Sequence, residues 1–303
     1  LGYPQSGWID IKSNYLTKAD FLYKLTTSKA ALKNITLIPG ETSYIFLNQI
    51  AKKMNLSRKE LQKIYDEYAY KEDGNILADT YALPYGMKEY HLLFYLFSNT
   101  NKQYEDISKK IFGTYNRKRW YYYITLASVI QKEAANESEM SYVSSVIHNR
   151  LKKGMKLQMD GTLNYGQYSH VKVTAQRIRE DNSSYNTYKK TGLPSSPVCA
   201  VSIDAIKAAI FPAKTDYLYF VKNEKTGLHD FSNSYKKHLN NIRKNRIIKR
   251  NLNKIRRKKT QENTKETTKK TTPTAHKKEV SVFPKKSATK KSTSIKSLWD
   301  NVK

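Results

Sequence analysis

Residues 123–134 read Tyr-Ile-Thr-Leu-Ala-Ser-Val-Ile-Gln-Lys-Glu-Ala, an apolar helical pattern broken by one carboxylate. Leu126, Val129 and Ile130 stand seven, four and three positions before Glu133, so all four share one helical face. Around this segment the pattern alternates between short strands and helices. Residues 35–38 predict a strand, Pro39-Gly40 a turn, and residues 42–54 a helix. Ser57 and Glu60 form the signature of a capping box, which opens a second helix carrying Leu61, Ile64 and Tyr65. A helical stretch is expected around residues 90–97. Ser138 is expected to cap the next helix, whose stripe of Met140, Val143, Val146, Ile147 and Leu151 ends at Gly154. Met155, Leu157 and Met159 then alternate with Lys156, Gln158 and Asp160, as in a strand with Gln158 and Asp160 on its polar face. Ser202 caps a helix with Ile203, Ile206, Ala209 and Ile210 that Pro212 stops. Residues 217–221 predict a buried strand. His229-Asp230-Phe231 is read as the last turn before a helix with Tyr235, Leu239 and Ile242.

This mixture predicts an α+β fold. The expected organisation is the end of a truncated N-terminal segment (1–33), a small strand-helix-helix module (34–80), a larger mixed domain (81–243) and a basic low-complexity tail (244–303). Residues 1–33 carry Tyr3, Trp8, Ile9 and Ile11, then a helical pattern in Ala19, Leu22, Tyr23 and Leu25. Because the chain opens at Leu1 inside such a segment, an upstream piece is expected to have been removed.

Charge adds a polyanion partner to the picture. The 303-residue chain has a net charge of +29, of which +16 falls from Lys244 onward and +13 before it. Such a balance attracts nucleic acid, anionic lipid or anionic wall polymer without choosing among them. Beyond residue 250 Lys, Thr and Ser dominate, and disorder is expected to about residue 292. Ile295, Leu298, Trp299 and Val302 then fall at helical spacing. Cys199 is the single cysteine, so no internal disulfide forms, and no Cys/His cluster has metal-ligand spacing. No run approaches the length of about 18 apolar residues that a spanning helix needs.

The chemistry centres on Glu133. A glutamate on an apolar stripe is costly when charged, because low-dielectric surroundings favour the protonated form. This makes Glu133 a candidate general acid. The alternative, that it sits at the rim of the stripe and reaches water, stays open from the helix alone. Downstream loops such as Ser184-Tyr185-Asn186-Thr187-Tyr188 offer rings for pyranose faces and amides or hydroxyls for sugar hydroxyls. Read without any resemblance, they fit ordinary surface loops better. Asp160 supplies a second carboxylate. There is no GxSxG elbow, HExxH, phosphate-binding loop or dinucleotide fingerprint.

Ala127-Ser128-Val129-Ile130-Gln131-Lys132-Glu133-Ala134, Val146-Ile147-His148-Asn149-Arg150-Leu151, Gly154-Met155, Leu157-Gln158, Asp160, Tyr165-Gly166, Tyr185-Asn186-Thr187-Tyr188, Gly192-Leu193-Pro194, Pro212-Ala213 and Thr215-Asp216-Tyr217-Leu218-Tyr219-Phe220-Val221 follow in this order. In order and spacing they resemble the MltG (YceG-like) family of endolytic murein transglycosylases, over roughly residues 35–243. The resemblance implies cleavage of the bond between N-acetylmuramic acid and N-acetylglucosamine in peptidoglycan without water, leaving a 1,6-anhydromuramoyl end. It places the catalytic acid and base at Glu133. Asn149, Gln158, Asp160, Thr162, Tyr165, Tyr185, Asn186, Thr187 and Tyr188 are expected to line or shape the substrate groove. It likens residues 34–80 to a LysM-like module and implies no metal or organic cofactor.

The resemblance further implies a bacterial inner-membrane protein, tethered by an N-terminal helix absent here, whose catalytic domain faces the periplasm or wall. Peptidoglycan synthases are the implied partners, and nucleic acid is not. Three departures stand out. Gln131 replaces the family's first glutamate in the Glu-Lys-Glu segment, Ala78 replaces a usual proline, and Ser195-Ser196-Pro197-Val198-Cys199 replaces a Gly-Pro-Ile-Ala-like loop. The rivals are a muramidase that hydrolyses the same bond and a catalytically silent wall- or polyanion-binding protein.

Overall fold

A computed structural model describes residues 13, 15–27 and 31–269. The chain divides into two units, 1–251 and 252–303. In the first, Thr17 accepts the backbone N–H of Asp20 at 3.1 Å and opens helix α1 (Lys18–Thr27). Strand β1 (Leu32–Thr36) pairs antiparallel with β2 (Thr80–Pro84), Ile35 facing Tyr81 across the ladder. Between them lie α2 (Ser43–Met54) and α3 (Arg58–Tyr68), so the module is strand-helix-helix-strand. Thr42 and Ser57 cap these helices through their hydroxyls. The capping box at Ser57 is half made. Ser57 Oγ accepts from the Glu60 N–H at 3.3 Å, but the Ser57 N–H donates to Glu89 at 2.9 Å instead of to Glu60.

Glu89 begins α4 (Glu89–Phe112), which is longer than its apolar stretch suggested. Its Leu92, Leu93 and Leu96 join Ile35, Phe46, Leu47, Ile50 and Leu61 in one core, which also takes in Ala200. Packing therefore runs across the expected boundary at 80/81.

Helix α5 (Arg117–Glu133) passes through the centre of the unit. Residues 124–130 are buried on every side, so this helix has no polar face there at all. It packs against α6 (Met140–Lys152) and α8 (Ile203–Ile210). Ser202 caps α8 as expected, but Ser138 does not cap α6: a 3-10 turn at Glu137–Glu139 leads in, and the Ser138 hydroxyl donates to Asn136.

The segment 155–159 alternates in burial, Leu157 and Met159 inside, yet it pairs with no strand and ends in a 3-10 turn at Asp160–Leu163. Its backbone is held instead by the 187 loop and by Arg150. The short helix α7 (Ala175–Glu180) lies in a loop region where no helix was expected. Strand β3 (Tyr219–Lys222) pairs with β4 (His229–Ser232), so His229 to Phe231 form a strand and not a turn.

The final helix, α9 (Tyr235–Lys269), crosses the division between the units. The expected loss of structure from residue 250 is corrected up to Lys269. Lys, Arg, Gln and Glu are good helix formers, so a charged run without a core still takes helical backbone. The run at 295–302 lies outside the described residues.

Candidate active site

Glu133 is the last residue of α5, where the buried helix emerges beside a cavity of about 340 Å³. It is half-buried. Among the described residues its single hydrogen bond comes from the Gly161 N–H, 2.8 Å from Oε1. Desolvation pushes its pKa up from the ordinary 4.5 to about 7, and the neighbouring Asp160 charge adds to this. The Gly161 N–H and the Arg150 guanidinium pull the other way. Its position at a helix C-terminus, the negative end of the peptide dipoles, also disfavours the carboxylate. The result is an acid that holds its proton well above the usual carboxylate range, which suits a proton donor.

Four expected residues meet in this cavity: Glu133, Gln158, Asp160 and Tyr188. The Tyr188 hydroxyl donates to Asp160 Oδ1 at 2.7 Å. Gln158 sits in left-handed backbone, with φ of 51°, and its N–H donates to the Thr187 carbonyl at 3.1 Å, which ties the kinked segment to the 187 loop. This kink, unusual for a residue other than glycine, turns the chain so that Gln158 and Asp160 stay at the cavity while Leu157 and Met159 go inward.

The other expected residues do not line this cavity. Thr162 and Thr187 are fully buried, 3.1 Å apart between hydroxyls, and Thr187 also accepts the Met159 N–H at 3.1 Å. Asn186 is buried, its amide donating to the carbonyls of Ile178 and Asp181 at 2.8 Å each. Asn149 donates to the carbonyls of Thr215 and Tyr217 at 2.9 Å and so joins α6 to the chain entering β3. Tyr185 stacks on Tyr165 at 4.2 Å between ring centroids, and their hydroxyls donate to Glu72 and Asp181. Tyr165 faces a separate cavity with Arg177. Polar residues of this kind look like ligand contacts in a sequence, but here protein partners take their polar atoms, and they hold the loops in shape.

The structure also brings in residues that pattern reasoning passed over. Arg150, named only within a motif, is buried and donates to the carbonyls of Leu218 and Leu157. Its guanidinium lies 5.4 Å from the Tyr219 ring centroid. Tyr219, Phe220, Tyr235 and His238 complete the cavity wall. Gly161 is fixed by space: an added Cβ would stand 2.7 Å from Glu133 Oε1 and 2.7 Å from Lys132 Cβ. Its neighbour Asp160 drew attention, while nothing in the pattern marked the glycine.

Gln131 faces elsewhere. Its side-chain oxygen accepts the Ser202 N–H at 3.1 Å, at the start of α8. A neutral amide serves that contact, and the residue is no part of the cavity. Among the described residues no group of His, Cys, Asp or Glu could hold a metal ion.

Comparison with known proteins places the chain in a family. The YceG-like family matches residues 3–244. The chain belongs to the YceG-like family. It is 39% identical over 115 residues to a Bacillus subtilis (strain 168) protein named endolytic murein transglycosylase, a match covering 38% of this chain and 32% of that relative. A Streptococcus pneumoniae (serotype 2, strain D39) protein of the same name is 33% identical over 124 residues, covering 39% of this chain and 22% of the relative. The matches thus span less than a third of these relatives' length. The crystal structure of a yceG-like protein from Listeria monocytogenes superposes with a TM-score of 0.58 at 25% identity, covering 73% of this chain and 80% of that one.

Proposed function

We propose that this chain cleaves peptidoglycan glycan strands between N-acetylmuramic acid and N-acetylglucosamine without water, with Glu133 as acid and then base. The observation that carries this reading is a single glutamate at the mouth of a cavity, pushed up to about 7 and held by one backbone donor. In the first half of the reaction protonated Glu133 gives its proton to the glycosidic oxygen, and the bond to the anomeric carbon breaks. In the second the muramic acid C6 hydroxyl bonds to that carbon and loses its proton to Glu133. Glutamic acid is regenerated, and no water enters. Because the sugar supplies the nucleophile, the two carboxylates of an ordinary glycosidase are not required.

The presence of Asp160 in the same cavity favours a second reading, hydrolysis of the same bond with Asp160 activating water. Mass spectrometry of peptidoglycan digested by the chain separates the two. Anhydro ends, one water lighter than hydrolytic ends and missing from the Glu133→Gln reaction, support the first reading. Reducing ends would replace it with the second, and neither product would leave a binding protein.

Among the described residues no helix is long and apolar enough to cross a membrane. Attachment to the bacterial inner membrane through a preceding segment, with the cavity facing the wall and synthases nearby, belongs to the same proposal and rests on the family resemblance. Fractionation of cells making the full-length protein tests it.

A further inference from the structure

We infer that His238 is a substrate-binding residue of the glycan groove, forming with Tyr219 and Tyr235 a wall that contacts the bound sugar. The inference rests on the function proposed above and extends it to helix α9. His238 lines the same cavity as Glu133, although it lies 105 positions later in the chain. Its ring stacks on Tyr219 with centroids 5.2 Å apart and planes 23° from parallel, and Tyr219 in turn carries Arg150 near its ring. Stacking fixes the imidazole's plane without using its nitrogens.

Among the described residues, three other histidines have ring nitrogens paired within the chain. His148 shares a ring nitrogen with the Ala209 carbonyl at 3.0 Å, His170 with Glu41 at 2.8 Å, and His229 with Glu139 at 3.0 Å. Each has a protein partner, and His91 is exposed to water. At His238, Nδ1 is buried with none. Buried polar atoms in folded proteins are nearly always paired, so an unpaired one in a cavity wall points to a partner supplied from outside the chain. Burial and the nearby Arg150 charge lower the His238 pKa, which keeps the ring neutral at pH 7 with one donor and one acceptor. A neutral ring with both functions matches the hydroxyl and acetamido groups of an aminosugar.

The test uses the whole chain. Oligomers of alternating N-acetylglucosamine and N-acetylmuramic acid are titrated onto Glu133→Gln and onto Glu133→Gln/His238→Ala, and turnover is measured for His238→Ala, His238→Phe and His238→Gln. The expected result is a KM about three- to tenfold higher for Ala and Phe, the worth of one hydrogen bond, with kcat within about twofold. His238→Gln, which keeps a donor and an acceptor, recovers most of the KM. The double variant binds oligomers more weakly than Glu133→Gln by the same factor. Unchanged KM and affinity, or melting temperatures that fall while the folded fraction binds normally, would overturn the role. Full activity of Glu133→Gln would instead overturn the proposed mechanism, and the KM and binding comparisons would still report on His238.

Discussion

Two regions of the molecule hold a carboxyl group against its ordinary ionisation, and they do it for different ends. At the cavity, Glu133 is half-buried with one backbone donor. Behind α2, Asp73 is 4% exposed and takes bonds from the Ser43 N–H, the Ser43 hydroxyl and the Gly74 N–H, all at 2.8 to 2.9 Å. Ser43 also meets the Tyr65 hydroxyl at 2.8 Å, and Asn75 donates to that hydroxyl at 2.8 Å, which extends a closed polar network. Burial raises both groups, Asp73 to about 6 and Glu133 to about 7. A raised pKa is therefore no mark of catalysis by itself. What separates the two is how far protein donors satisfy them, three bonds at Asp73 against one at Glu133.

The largest expected effect tests that contrast. Glu133→Gln should lower the rate of anhydromuropeptide release by about 10²- to 10⁴-fold, the usual worth of positioned proton transfer, with circular dichroism unchanged. Retention of a tenth of the activity would move the role to another residue. Next is Gly161→Ala, whose Cβ would press on Glu133 Oε1 and Lys132 at 2.7 Å. Displacing the acid by that contact should cost about 10²-fold in kcat. A variant that turns over normally would show that the Gly161 contact does not set the acid's position.

Asp73→Asn should do the reverse. An amide nitrogen would face a donor in the closed network, costing about 1–3 kcal/mol of stability by denaturant unfolding while kcat of the folded enzyme is kept. A loss of kcat at constant stability would make the Asp73 network part of the active site.

The pH dependence is smaller and has a fixed sign. Between 4.5 and about 7 the native chain holds a proton on Glu133 that the unfolded chain has released, so this contribution to stability is complete below pH 4.5 and lost as pH rises through 7. Glu133→Gln lacks that loss. Its melting temperature relative to the wild type should therefore rise with pH across this window, by about 2–4 °C for each kcal/mol. A constant difference from pH 4 to pH 8 would show that Glu133 keeps an ordinary pKa. The smallest effect is expected for Gln131→Glu, which restores the family's usual residue. The Ser202 N–H keeps an acceptor, so stability should move by no more than about 0.5 kcal/mol and turnover should be unaffected. A large gain in turnover would bring position 131 into the chemistry.

Much of this protein is written locally. The spacing of Leu126, Val129, Ile130 and Glu133, the cap residues Ser57 and Ser202, and the strand near Tyr219 all depend on neighbours within a few residues, and these elements form where the pattern places them. Ordered motifs along the chain likewise carried the family. Tertiary structure decided the rest, because its causes lie far apart in sequence. Whether 155–159 pairs as a strand depended on a partner 28 or more residues away, and the Thr187 loop took that place. The two faces of α5 could not be told apart as stripe and surface, since packing that includes α6 and α8 buries residues 124–130 throughout. The roles of Asn149, Thr162, Asn186 and Thr187 turned on which polar atoms the fold had already paired, and no spacing rule reports that. The same limit hid Gly161, Arg150 and His238: a backbone approach, a buried cation and an unpaired ring nitrogen exist only once distant segments are brought to one cavity.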